Sequence, residues 1–388
     1  MEAVTPMKLI HLSDLHLGKR LIDVSMLEDQ AYILKQIAGI AAAEQPDAVL
    51  IAGDVYDRSN PPAEAMALFS DFVRDLSSLG CAVFIISGNH DSPDRVAYMG
   101  GLLSACGVHV SPVYDGHISK VTLTDEYGPV DFFLMPFIQP EAAHQFFPEA
   151  EIASADDAVR LVIGGMDVDP SRRNVILSHQ CILGSSFDEK EQRFVGTLDN
   201  VNPAHYAPFD YVALGHIHRA QAVGREDGSM RYCGTPLKYS KKEANADKTL
   251  DVVTLGPKGA PVQAKFLPLK PLRELRLARG LFQDLLEQGP APGTEEDFYF
   301  ITLNDEEDQD HAAAKLREKY RHLLALDYDN SRTRAGDSLT LEGREGVDDR
   351  SDLELVMDLY RLTHGMDMSD EARAYVEAVI REMEGNDA

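Results

Sequence analysis

Short apolar runs, each followed by polar residues, recur along the first two thirds of the chain. They are rich in β-branched and aromatic residues, which is typical of buried β-strands. The runs lie at residues 7–13, 47–52, 82–87, 175–178 and 211–214, with further strands expected at 108–113, 118–123, 131–136 and between 230 and 255. Residues 25–44 predict a helix, and Pro61 and Pro62 predict the first turn of another, a position that suits proline. Strands that alternate with helices indicate an α/β fold.

The pattern changes at about residue 268. Beyond it the sequence predicts strands at 272–279 and 298–303 and helices at 281–288 and 311–324. The last 38 residues predict two helices, the first beginning at a capping box over residues 351–354. The chain is therefore expected to contain a large domain over residues 1–268, a small α/β unit over 269–345 and a helix pair over 346–388.

Polar residues that can bind metal follow the ends of five predicted core strands. They are Asp14, His16, Asp54, Asn89, His90, His179, His216 and His218. Ligands of α/β proteins bind beyond the carboxyl ends of strands, so we expect these side chains to share one site. Imidazole, carboxylate and amide groups together suit Mn²⁺, Fe²⁺ or Zn²⁺. Even without His90 there are too many donors for one tetrahedral ion, which favours two ions that share a bridging carboxylate.

Each of these residues also has an ordinary structural explanation. Asp14 and His16 alone suit a polar surface loop, Asn89 suits a helix cap, and His216 suits a solvated hairpin. The repetition at five strand ends, three of them directly after glycine, favours a common metal site.

Composition and charge limit the class of protein. The 388 residues include no apolar run near the roughly 18 residues of a membrane span and no signal-peptide pattern, and the four cysteines form no C-x-x-C, so a cytoplasmic protein is expected. The net charge of −27 weakens a nucleic-acid hypothesis without excluding it. Residues 291–388 hold 11 Lys and Arg against 26 Asp and Glu, so much of the negative charge lies away from the candidate site.

The order of the motifs resembles that of the calcineurin-like metallophosphoesterases. The matching segments are Asp14-x-His16, Gly53-Asp54, Gly88-Asn89-His90-Asp91, His179 and Gly215-His216-x-His218. The resemblance covers residues 7–255 and implies an αββα sandwich of mixed sheets. Residues 12–19, 52–57 and 59–62 further resemble the bacterial nuclease subunits of DNA double-strand-break repair complexes. It also implies that residues 269–345 are a capping domain and residues 346–388 a partner-binding helix pair.

This resemblance assigns roles to the site residues. The first ion would be held by Asp14, His16, Asp54 and His218, and the second by Asp54, Asn89, His179 and His216. His90 would protonate the leaving oxygen and Asp91 would orient its imidazole, while two ions activate the attacking water and neutralise the phosphate. At position 57 this chain has an aspartate, whereas archaeal and eukaryotic relatives have a histidine. A second acid–base role at this position is therefore left open.

The same resemblance implies an activity and partners. The expected enzyme is a nuclease that uses two Mn²⁺ ions, with Mg²⁺ or other divalent ions as substitutes. It would degrade duplex DNA ends from 3′ to 5′ and cut single strands and hairpins. It would form a homodimer through helices after Asn60 and after Asp91, and it would bind an SMC-like coiled-coil ATPase through the C-terminal helices.

Lys19, Arg20, Arg58 and Arg95 closely follow the metal motifs and are candidates for contacts with DNA phosphates. Alternatively, they are ordinary surface cations that balance the carboxylates of the site. Residues 184–200, rich in glycine, serine and charge, are a candidate substrate loop.

Two other functions use the same residues. A metallophosphatase for a small nucleotide or phosphoprotein would share the metal core, and turnover of mononucleotides without cleavage of DNA would select it. A scaffold with a vestigial site would be favoured by the loss of a ligand, and the full set present here argues against it.

Overall fold

The computed structural model describes residues 5–98, 100–186 and 200–333, together with isolated positions between 353 and 380. The chain divides into two compact units, Met1–Glu274 and Leu275–Ala388. The helix pair over 346–388 lies outside the described residues apart from those isolated positions, and the three domain assignments stay predictions. Within the described part of the chain, no helix is both long and apolar enough to cross a membrane.

The first unit contains sixteen described strands and six α-helices. The strands are β1 Met7–Leu12, β2 Arg20–Leu21, β3 Val24–Ser25, β4 Ala48–Ala52, β5 Ala82–Ile86, β6 Val108–Val110, β7 Ser119–Asp125, β8 Gly128–Leu134, β9 Arg173–Ser178, β10 Cys181–Ile182, β11 Asn200–Val201, β12 Tyr211–Leu214, β13 Gln221–Ala222, β14 Met230–Tyr232, β15 Thr249–Leu255 and β16 Gln263–Pro268. The helices are α1 Leu27–Glu44, α2 Ala63–Ser77, α3 Pro93–Val96, α4 Gly100–Leu103, α5 Pro140–His144 and α6 Ala155–Gly164. Short 3₁₀ helices lie at Ser104–Cys106, Pro203–Tyr206 and Lys241–Asn245.

Two six-stranded mixed sheets form the centre of this unit. The first has the order β16-β15-β1-β4-β5-β6, and the second has the order β13-β14-β12-β9-β8-β7. In each sheet four neighbouring strands are parallel, β1-β4-β5-β6 in one and β14-β12-β9-β8 in the other. The outer strands of each sheet pair antiparallel. The five predicted core strands are therefore the parallel strands β1, β4, β5, β9 and β12.

The two sheets pack face to face through alternate residues of their strands. Leu9, Leu50 and Phe84 of the first sheet share one buried cluster with Phe132 and Leu177 of the second. The rings of Phe84 and Phe132 stack 4.5 Å apart across this interface. Strands buried on both faces read as continuous apolar runs, which explains the pattern of the sequence.

Helices cover the outer faces. On the second sheet, α6 buries Ala158, Val159 and Val162 in a cluster that also contains Ile176 of β9. The helix α1 buries Ile33 and other apolar residues, and α2 packs beside α1 and against β5. The predicted αββα sandwich is confirmed.

Between residues 275 and 328, the second unit holds three parallel strands and two helices. They are β17 Leu275–Gly280, α7 Phe282–Gln288, β18 Phe298–Leu303, α8 Ala312–Arg317 and β19 His322–Tyr328. The helix predicted over 311–324 was too long, because residues from 322 onward pair with β18 as a third strand. Leu323 of that strand packs in the core of this unit with Ile301 and Leu316.

Candidate metal centre

The loops that follow five parallel strands meet at one edge of the sandwich. The loop after β1 is bonded to the loop after β4, since Asp14 N–H donates to Gly53 O and His16 N–H donates to Asp54 O, both at 3.0 Å. In the other sheet, Gly215 N–H donates to Ser178 O at 3.0 Å. Because parallel strands end at the same edge, residues far apart in the sequence become neighbours here.

One group of donors lies around His16. Its Nε2 is 3.1 Å from Nε2 of His218 and 3.6 Å from Oδ2 of Asp54. Asp14, His16 and His218 each offer an atom within 4.8 Å of the others. Two imidazole nitrogens that face each other at this distance can share one proton or bind one cation. Nδ1 of His16 is buried and has no hydrogen-bond partner among the described residues.

A second group lies around His179. Asn89 Oδ1 is 3.1 Å from Nε2 of His179 and 3.0 Å from Nδ1 of His216. The same Nε2 of His179 lies 3.4 Å from Oδ2 of Asp54 and 4.0 Å from Oδ1 of Asp14. Nδ1–H of His179 donates to Ala52 O at 2.7 Å, which leaves Nε2 facing the site. Oδ2 of Asp54 therefore stands between the two groups of histidines.

The backbone at the site is strained. Among the described residues, seven that are not glycine have positive φ, and four of them are Asp14 at 52°, His16 at 45°, Asp54 at 49° and His216 at 102°. Residues other than glycine adopt this left-handed backbone conformation at a cost of about 1 to 3 kcal/mol each, and such positions concentrate at functional sites. The surrounding sheets hold these donors in place against that cost.

The glycines before the donors have a steric reason. A Cβ at Gly53 or Gly215 would collide with the His179 imidazole, and a Cβ at Gly88 would collide with the Asp54 carboxylate. Only glycine lets the neighbouring loop approach the donors this closely.

The electrostatics fit a bound divalent cation. Asp14, His16, Asp54 and His179 are buried. Burial raises the pKa of Asp14 and lowers that of His16, and burial with the neighbouring His179 lowers the pKa of His216 to about 3. Burial opposes protonation of His179, but the charges of Asp54 and Asp14 raise its pKa to about 9. Buried carboxylates beside imidazole groups are a favourable environment for Mn²⁺, Fe²⁺ or Zn²⁺.

His90 lies at the exposed mouth of this site. Its ring packs edge-on against His16, with centroids 4.8 Å apart, and its Nδ1–H donates to the carbonyl oxygen of Asp57 at 3.0 Å. Its backbone N–H donates to Oδ1 of Asp54 at 2.9 Å. Nε2 of His90 is thus the nitrogen that can exchange a proton with a substrate.

Asp91 has other partners than expected. Its carboxylate accepts backbone N–H bonds from Val55 at 3.1 Å, Tyr56 at 2.9 Å and Gly88 at 2.9 Å. These bonds tie the loop after β5 to the loop after β4. This corrects the expectation that Asp91 orients the imidazole of His90, a task performed by the backbone of Asp57.

Of the four candidate DNA-contacting residues, two lie at the site and two do not. Lys19 Nζ lies 2.5 Å from Oδ1 of Asp57, and Arg58, exposed, has Nε 3.7 Å from Oδ2 of the same carboxylate, so both lie at the site. Arg20 bonds to the carbonyl of Asp23 in its own hairpin. Arg95 lies instead in an apolar groove beside α2. Of the candidate substrate loop over 184–200, residues 187–199 lie outside the described part of the chain.

Sequence patterns did not reveal three buried residues around the site. Gln30 of α1 donates to His16 O at 2.7 Å, and Tyr239 Oη–H donates to Leu15 O at 2.7 Å. Glu243 Oε1 lies 3.7 Å from Nδ1 of His218. None of the three follows a core strand, so no pattern of strand ends could have found them.

Comparisons with known proteins show the family of this chain. Residues 7–220 match the family described as calcineurin-like phosphoesterase. The chain is 31% identical over 324 residues to the SbcD component of nuclease SbcCD from Staphylococcus saprophyticus, a match that covers 82% of this chain and 84% of the relative. It is 30% identical to the protein of that name from Staphylococcus epidermidis, over 82% of this chain and 85% of the relative.

Among solved structures, a dimetal phosphatase from Danio rerio aligns with 69% of this chain and 98% of its own. The TM-score is 0.41 and the sequence identity is 11%, a likeness too low to support an argument about function.

Proposed function

Because the chain belongs to the calcineurin-like phosphoesterase family, whose fold and metal-dependent phosphodiester hydrolase activity it shares, we propose that its substrate is DNA. The metal-dependent cleavage in this proposal rests on Oδ2 of Asp54, which lies 3.6 Å from Nε2 of His16 and 3.4 Å from Nε2 of His179 and so can be shared by two ions. Relatives whose match covers 82% of this chain are named as nucleases, which supports a polynucleotide substrate.

The donor set fits two divalent ions, and Mn²⁺ is the proposed metal, with Mg²⁺ or another divalent ion as a substitute. The first ion would be held by Asp14, His16, Asp54 and His218, and the second by Asp54, Asn89, His179 and His216. When bound, such ions lower the pKa of an attacking water and neutralise charge on the phosphate. The buried, strained loops hold the donors ready, so that little reorganisation accompanies binding.

His90 is the proposed acid. Its Nδ1–H is committed to the carbonyl oxygen of Asp57, so the proton that reaches the leaving oxygen would come from Nε2. Its exposed position at the mouth of the site suits contact with a large substrate. Lys19 and Arg58, both anchored on the Asp57 carboxylate, are the proposed contacts with the phosphates beside the cleaved bond.

The proposed activities are 3′ to 5′ degradation of duplex ends and cutting of single strands and hairpins, in DNA repair, recombination and replication in the cytoplasm. The proposed partner is the SbcC ATPase, bound through residues 346–388. A basic surface on that partner would offset the net charge of −27 and help to bind DNA.

A homodimer is also proposed, through the helices after Asn60 and Asp91. An apolar groove of about 620 Å³ runs between α2 and the segment after β5, with Met66, Phe69 and Val96 in its lining. Tyr98 on its border is 73% exposed and extends the apolar surface of the groove. In the dimer, the same surface of a second protomer would cover this groove. Sedimentation velocity of the purified chain would show whether a dimer forms.

The test is cleavage of labelled hairpin and duplex DNA by the purified chain with Mn²⁺, beside His90→Ala. The variant should lose about 10²- to 10⁴-fold in rate with its metal content unchanged. His117→Ala, which removes an exposed imidazole outside the candidate site, is the matched control and should cleave like the unmodified chain.

Equal rates for His90→Ala and the unmodified chain would contradict the role of His90. Turnover of a small phosphodiester without cleavage of either DNA would favour a metallophosphatase acting on small substrates.

A further inference from the structure

A buried ion pair lies behind His218, on the side away from the other donors. Glu243 and Lys248 are 8% and 9% exposed. Lys248 Nζ lies 2.6 Å from Oε2 of Glu243, 2.6 Å from Oγ1 of Thr235 and 3.1 Å from the carbonyl oxygen of His218. An ammonium group has three donors, and these three acceptors use all of them.

The second oxygen of Glu243 faces the imidazole. Oε1 lies 3.7 Å from Nδ1 of His218, and it accepts hydrogen bonds from Ser240 Oγ at 2.9 Å and from Tyr239 N–H at 3.3 Å. Both carboxylate oxygens are therefore fixed, one by Lys248 and one by the start of the 3₁₀ helix Lys241–Asn245. The position of the carboxylate beside Nδ1 does not depend on a flexible side chain.

A buried ion pair contributes little to the stability of a fold. Removing two charges from water is costly, and well-packed apolar residues often replace a buried ion pair without loss of stability. A histidine that binds metal, however, commonly donates its other ring N–H to a carboxylate, which fixes the tautomer and the ring orientation. Glu243 stands where that carboxylate would stand.

We propose that Glu243 is a positioning residue for His218, held in place by Lys248. The carboxylate keeps the proton of the imidazole on Nδ1, so that Nε2, which is 3.1 Å from Nε2 of His16, presents its lone pair to the cation. Lys248 fixes the backbone of the same residue through the carbonyl of His218. The inference rests on the proposed function in one respect, since it takes His218 as a metal ligand.

The test measures Mn²⁺ binding to the full chain after removal of metal, by titration calorimetry and by the electron paramagnetic resonance signal of free Mn²⁺. Glu243→Gln keeps the shape of the side chain and removes its charge. It should weaken one of two Mn²⁺ sites by about 10- to 100-fold and leave the other within about twofold. Glu243→Asp keeps a charge opposite Lys248 but withdraws the carboxylate from His218, and it should weaken the same site.

Asp125→Asn is the matched control. It also neutralises a buried carboxylate paired with a cation, Arg173, but at the amino end of β9, whereas His179 follows the carboxyl end. It should lower the stability of the metal-free protein and leave both Mn²⁺ affinities unchanged.

If both Glu243 variants bind two Mn²⁺ ions as tightly as the unmodified chain, the inference is overturned, even if they unfold more easily. An unmodified chain that binds two ions and cleaves no DNA would refute the proposed substrate and leave the role of Glu243 intact. An unmodified chain that binds no Mn²⁺ would overturn both.

Discussion

The two ends of β9 treat buried polar groups in opposite ways. At the amino end, Arg173 is 3% exposed and is surrounded by acceptors: the Asp125 carboxylate and the carbonyl oxygens of Gly128 and Gly256. At the carboxyl end, His179 faces Asp54, Asn89 and Asp14 with a single ring nitrogen. The first end is saturated with protein partners, whereas the second collects donors that face one another.

This difference separates a structural pair from a binding site. Around Arg173 each charge has an opposite charge or a carbonyl oxygen, and Arg173 does not adopt a positive φ. Around His179, two carboxylates and several imidazoles are drawn together by loops with positive φ. Such a cluster of carboxylates and imidazoles costs free energy without a cation and becomes favourable when a cation binds. Backbone strain and clustered metal-binding side chains together therefore mark the site.

Removing the shared carboxylate would break the comparison most strongly. Asp54→Asn takes the negative charge from between the two histidine groups, so we expect neither Mn²⁺ site to bind at working concentrations and DNA cleavage to fall to background. Metal analysis after dialysis and the hairpin assay measure this. Two retained ions in the variant would show that Asp54 is not shared.

A substitution at the amino end of β9 should lower the stability of the protein and leave its metal binding unchanged. Arg173→Met leaves the Asp125 carboxylate buried without its cation, although Met7 N–H and Tyr127 N–H still donate to it. We expect the free energy of unfolding to fall by about 3 kcal/mol, because breaking a buried pair leaves an uncompensated charge. Urea unfolding measures the loss, and Mn²⁺ affinity at low temperature should be unchanged. Weakened metal binding would mean that the two ends are coupled.

The two ends of β9 should also differ in how they make the stability of the protein depend on pH, although this effect is smaller. Asp54 and Asp14 raise the pKa of His179 from 6.5 to about 9 in the absence of metal. The folded protein then holds a proton more tightly than the unfolded chain, so this stabilisation is complete below pH about 6.5 and is lost as the pH rises through about 9. Metal-free protein should therefore lose on the order of 1 to 3 kcal/mol of stability between pH about 6 and pH about 10.

The comparison variant for this measurement is Asp54→Asn, which removes the main charge that favours protonated His179. Urea unfolding of both proteins without metal should show a smaller change with pH in the variant. An equal change in both would place the titrating group elsewhere. The Arg173 pair should not contribute, because its two charges persist across this range.

Much of the molecule follows from local pattern. The five core strands were found because each is an apolar run buried on both faces. The steric reason for the glycines before Asp54, Asn89 and His216 came only from the structure, in which a Cβ at each would collide with a neighbouring loop. In the second unit, the strand at 322–328 was missed because its apolar residues continue those of the preceding helix, and only pairing with β18 separates the two.

The sequence by itself determined which residues can bind metal and that they follow the ends of strands in an α/β fold. Those properties depend on residue type, on alternation and on chain direction, all of which are local. Only the tertiary structure decided which donors share a group, that Asp91 ties two loops together while the backbone of Asp57 holds His90, and that Glu243 stands behind His218. Those facts depend on contacts between the loops of different strands, some of them across the two sheets between residues as far apart in the chain as His16 and His218, which no local pattern records.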